Sequence, residues 1–86
     1  MAEPTLYLVF LGGDLAPGRM GEDHEVVVVV ANDVKSARAA ARKKWTGTSR
    51  PHVDAIRPLT ATDGYSIQLV HTGAADELEI DTTFEP

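Results

Sequence analysis

The chain has no cysteine, which excludes a disulfide framework, a thiolate metal site and a cysteine nucleophile, and is compatible with a reducing compartment. Long hydrophobic runs are also missing. The longest unbroken apolar stretches, residues 6–11 and 26–31, have six residues each, far short of the roughly 20 that a membrane-spanning helix needs. No basic region precedes the first apolar stretch, so the N-terminus does not read as a signal peptide. There is no internal repeat and no low-complexity tract. These absences point to a soluble, cytoplasmic protein with no membrane partner.

What is present is an ordinary globular composition, 43 % hydrophobic and 24 % charged over 86 residues, which argues against disorder across the whole chain. The length suits one domain, residues 1–86. A chain of this size buries about 60 to 65 % of its unfolded surface, so its stability should be modest. The net charge of −5 conceals a separation. Lys35, Arg38, Arg42, Lys43, Lys44 and Arg50 hold six of the eight basic residues in one segment, while Asp76, Glu77, Glu79, Asp81 and Glu85 crowd the last eleven positions. The overall acidity argues against general nucleic-acid binding, although the basic segment leaves that reading open.

Residues 5–11 (TLYLVFL) are β-branched, aromatic and aliphatic and end at Gly12-Gly13, the signature of a strand. Residues 12–23 carry four glycines and a proline and read as a long surface loop. Five consecutive valines, Val26–Val30, lie in a second strand over 24–31. Side chains alternate between the two faces of a strand, so this run is apolar on both and is expected at the centre of a sheet covered on both sides. Asn32 or Asp33 should cap a helix that runs to about Trp45, with Gly47 ending it and Val34, Ala37, Ala41 and Trp45 forming the buried stripe. An extended segment is expected over 52–61, with Val53, Ala55, Leu59 and Ala61 on one face. A tight turn at Thr62-Asp63-Gly64 follows, then a returning strand over 65–71. The acidic tail, residues 74–86, alternates Leu78, Ile80 and Phe84 with polar residues and reads as an edge strand whose outward acids discourage pairing with other chains.

The expected fold is thus α+β: a single antiparallel or mixed sheet of four to five strands, in the order β-β-α-β-β with a fifth at the C-terminus, and one helix packed on one face. One helix covers one face only. Leu6, Leu8 and Phe10 point one way and Tyr7, Val9 and Leu11 the other, so the second face needs the C-terminal strand or another copy of the chain, and a homodimer is expected.

Leu11-Gly12-Gly13 after the first strand, His24-Glu25 opening the second, Trp45-x-Gly47, His52-Val53-Asp54 and Asp63-Gly64-Tyr65 occur in this order. Over residues 6 to about 70 the chain resembles a bacterial family called domain of unknown function 1543. That resemblance implies a small bacterial domain, occurring singly or in tandem, and carries no activity or catalytic residue with it.

Three groups of residues invite chemistry. His52 and Asp54 share one side of a strand, roughly 6.5 to 7 Å apart along it. With His24 or Glu25 from a neighbouring strand they suit a three-ligand nitrogen and oxygen metal site, or a base and its orienting carboxylate beside Tyr65 or Ser66. Hydrogen bonding within a helix-to-strand loop is the preferred reading of this pair, and no metal or cofactor is expected. The glycines at 12, 13, 18 and 21 suggest a phosphate loop, but a strand follows instead of a helix N-terminus, which favours a plain connection. The basic flank of Lys35, Arg38, Arg42 and Lys43 is the third group, suited to an anionic ligand or nucleic acid, with solvated or internally paired charge preferred. Trp45 is expected as a core anchor and His71 as a solvated side chain. The best reading is a non-enzymatic binding or assembly module, with an anion binder and a small metal-dependent or acid–base enzyme as alternatives.

Overall fold

A computed structural model describes residues 3–14 and 22–74. It contains β1 (Thr5–Gly13), β2 (Asp23–Ala31), α1 (Val34–Lys44), β3 (His52–Pro58), β4 (Ala61–Thr62) and β5 (Tyr65–Ser66). The architecture is α+β. One three-stranded sheet has the order β2-β1-β3, and β4 and β5 form a separate two-stranded sheet. Both neighbours of β1 run antiparallel to it, so β2 and β3 are parallel to each other and α1 makes the crossover between them, a split β-α-β arrangement.

Two expectations change here. The main sheet has three strands among the described residues rather than four or five; the strand foreseen over 65–71 shortens to Tyr65–Ser66, and the one foreseen in the tail lies outside the described residues. The valine run of β2 is not central either. Both β1 and β2 are apolar at both parities, and it is β1 that has neighbours on two sides. A valine strand apolar on both faces belongs at the centre only of a sheet covered on both sides. The helix covers one, and Val26, Val28 and Val30, on the other, stand 53, 45 and 52 % exposed.

The helix begins where Asp33, in an extended conformation, accepts a 2.7 Å hydrogen bond from the Ser36 amide through Oδ1, satisfying one of the amides that a helix start leaves without a partner. This bond holds the Asp33 carboxyl below its usual range. Arg42, Lys43 and Lys44 occupy the last turn, where cations favour the carbonyl end of the helix dipole. Ala37 and Ala41 are fully buried, and their small side chains let the helix lie close to the sheet. Val34 is exposed instead of joining the stripe, and Ala40 takes up part of the contact. Tyr7, Val9, Leu11 and Val29 meet the helix, with Val27, Ala31, Trp45, Val53 and Ile56 around them.

β3 departs from simple alternation. Phe10 pairs with Ala55 and Leu11 with Val53, so Asp54 is an extra residue in a β-bulge. The bulge sends Val53 and Ile56 to the core and leaves Ala55 exposed, against the expected parity. The β4–β5 turn matches expectation: Thr62 pairs with Tyr65, and Asp63 and Gly64 between them have φ of 52° and 85°, the two positive angles of a two-residue hairpin turn.

Candidate functional site

Gly12 and Gly13 lie inside β1 instead of opening a loop, and each faces one side of the sheet. A Cβ built on Gly13 would meet Cζ2 of Trp45 at 3.1 Å, on the helix side. One built on Gly12 would lie 2.7 Å from Nε2 of His52 and 2.9 Å from Oδ2 of Asp54, on the face the helix leaves open. Gly12 pairs with His24 on β2 and with His52 on β3. The two histidines therefore flank a strand position that has no side chain of its own.

Two carboxylates complete the cluster. Nε2 of His52 is 2.9 Å from Oδ1 of Asp54 and 3.0 Å from Oε1 of Glu22. Nε2 of His24 is 3.4 Å from Oε2 of Glu22 and 3.6 Å from Oδ2 of Asp54. Imidazole and carboxylate alternate around the group, and the bulge in β3 presents Asp54 to His52. Ligand atoms of Glu22, His24 and Asp54 all lie within 4.8 Å of one another.

The structure thus brings His24, His52 and Asp54 together and adds Glu22, which the sequence reading overlooked. Glu25 is not a member. It pairs with Leu11, a core position, and accepts a 2.8 Å hydrogen bond from the Thr46 hydroxyl. Strand parity carried the signal, because in Glu22-Asp23-His24-Glu25 only Glu22 has the parity of His24. Tyr65 and Ser66 belong to the separate β4–β5 sheet, not to the sheet that holds His52.

Of the basic flank, Lys35, Arg38 and Lys43 are exposed, whereas Arg42 is half-buried. Its Nε, like Nε1 of Trp45, is buried without a hydrogen-bond partner among the described residues. Trp45 packs against the core as expected. In Trp45-x-Gly47, a Cβ at Gly47 would collide with the Asp14 carbonyl and the indole, while Thr48 donates a 2.9 Å hydrogen bond to that same carbonyl. Glycine there lets the loop after the helix close over the end of β1.

Beside the cluster, the open face continues as three apolar cross-strand pairs, Leu6 with Val30, Leu8 with Val28 and Phe10 with Val26. Phe10 is 38 % exposed, and Leu6 and Leu8 are partly covered. The free side of β2 is partly occupied, since Nζ of Lys44 donates a 2.7 Å hydrogen bond to the Val28 carbonyl. No helix among the described residues is long and apolar enough to cross a membrane.

Among the described residues, fold and site together define a small α+β domain with a split β-α-β sheet, one apolar face that the helix leaves open and a histidine–carboxylate cluster at the end of that face. The chain belongs to the family described as Domain of Unknown Function (DUF1543), whose pattern matches residues 19–69. The match takes in the cluster, the valine strand and the helix. No curated protein and no solved structure matches the chain.

Proposed function

We propose that the protein is a small self-associating module that acts by binding rather than by catalysis, and that a second copy of the chain covers the open face of its sheet. The three apolar cross-strand pairs, in which Val26, Val28, Val30 and Phe10 are exposed, carry this reading. Contiguous apolar surface of that kind is disfavoured in water and marks an interaction site. Two sheets can stack about 10 Å apart through such faces.

Two features favour a second copy as the occupant. A two-fold contact needs only one self-complementary surface, and the six side chains of these pairs carry no charge that would meet its own kind across the axis. The Lys44 ammonium on the Val28 carbonyl also obstructs the alternative of adding a strand to the β2 edge, since charged groups at a sheet edge discourage such pairing. Packing face to face is the mode left open.

The test is the mass of the intact assembly for the natural chain and for Val28→Glu. Val28 is largely exposed within one chain, so the variant should keep its circular dichroism spectrum and lose its partner. A dimer that survives Val28→Glu would overturn the reading.

A further inference from the structure

We propose that Glu22, His24, His52 and Asp54 form a binding site for a divalent transition-metal ion of the zinc class. Each Nε2 faces one oxygen from each of two carboxylates. A ring nitrogen carries either a single proton or a single lone pair. One proton shared along both contacts makes only a bent three-centre bond, and a lone pair would face anionic oxygens. A cation among the four groups resolves both difficulties at once. With both imidazoles neutral, the two carboxylates sum to −2, which a divalent ion balances.

Two ligands each bound to zinc at about 2.0–2.1 Å in a tetrahedron lie about 3.3–3.4 Å apart. One ligand atom each from Glu22, His24 and Asp54 lie within 4.8 Å of one another, and Nε2 of His52 lies 2.9 and 3.0 Å from the other oxygens of Asp54 and Glu22, so holding one ion with all four requires these exposed side chains to rotate inward. The two separations around His24, 3.4 and 3.6 Å, are too long for good hydrogen bonds but suit neighbours on a shared ion.

Gly12 supplies a second, independent observation. It is the central strand position between the two histidines, and a Cβ there would intrude on both His52 Nε2 and Asp54 Oδ2. The absence of a side chain is what lets these groups converge over the strand. Two imidazoles with two carboxylates favour zinc and its neighbours in the transition series over magnesium or calcium, which prefer oxygen alone. All four ligands come from one chain, so the site stands whether or not the protein self-associates.

The experiment titrates untagged protein, first stripped with a chelator, with Zn2+ by calorimetry, and records the visible spectrum with Co2+ as a probe of coordination. One ion per chain is expected, with Mg2+ giving no heat. His24→Ala and His52→Ala should each weaken Zn2+ binding by more than the roughly 10–100-fold that losing an outer partner of a ligand costs. Both side chains are well exposed, so these variants should still fold. Val28→Glu should bind Zn2+ like the natural chain, which separates failure of this site from failure of the dimer. Binding below one equivalent, or binding that both histidine variants retain, would overturn the proposal.

Discussion

Gly12 and His52 sit opposite each other across the β1–β3 ladder, and a Cβ on Gly12 would lie 2.7 Å from the imidazole Nε2. The clash involves the far end of a side chain that can swing away. Gly12→Ala should therefore fold normally while displacing His52 from the cluster. The imidazole resonances of His52 in a proton–nitrogen NMR spectrum should shift, and Zn2+ affinity should fall, with the melting temperature close to that of the natural chain. Unchanged His52 resonances would contradict this geometry.

Gly47 presents the opposite case. There a Cβ would strike the backbone carbonyl of Asp14, which cannot rotate aside. Gly47→Ala should destabilise the domain by about 1–3 kcal/mol, the usual range for an overpacked site, in a urea melt followed by the fluorescence of Trp45, the only tryptophan.

Leu11 is fully buried at the centre of the core. Leu11→Ala should cost about 2–5 kcal/mol. A domain of this size commonly has about 4–13 kcal/mol in total, so the variant should have a much lower urea midpoint and can be largely unfolded at 37 °C.

Asp33 links stability to pH. Its hydrogen bond with the Ser36 amide lowers the folded-state pKa from the ordinary value of 3.8. The stabilisation is therefore fully present above that ordinary value and is lost as pH falls through the lower folded-state value. Other carboxylates titrate in the same window, so the comparison with Asp33→Asn isolates this one. The asparagine keeps a capping oxygen but not the charge. Thermal melts should show wild type losing its advantage over Asp33→Asn below about pH 4, while Asp33→Ala should be the less stable of the two variants at every pH.

Lys44→Met should leave the Val28 carbonyl uncovered on the β2 edge. Light scattering should then detect assemblies that grow with concentration beyond the dimer. Scattering identical to that of the natural chain would show that Lys44 does not protect the edge.

Local features of the fold were legible in the residues. β1, the Asp33 cap, the alanine face of the helix and the Asp63-Gly64 turn follow from propensity, capping and backbone sterics, which act over a few neighbours. The place of β2 was not legible, because β1 and β2 share the same two-sided apolar pattern and composition does not say which one gains neighbours on both sides. The bulge at Asp54 was also hidden, since nothing in His52-Val53-Asp54-Ala55 marks an unpaired residue, and it reversed the expected facing of Ala55 and Ile56. In the cluster, His24, His52 and Asp54 were recognisable by chemical type. Glu22 was hidden by its position at the end of a glycine-rich stretch, and Glu25 stood beside His24 as an alternative although alternation along the strand excludes it.

The most direct test of the account is native mass spectrometry of the natural chain and of Val28→Glu across a range of protein concentrations. The expected result is a species at twice the 9.2 kDa chain mass for the natural protein and a folded species at the single-chain mass for the variant. A natural chain that stays at the single-chain mass at the highest concentration would contradict the claim that a second copy covers the open face of the sheet.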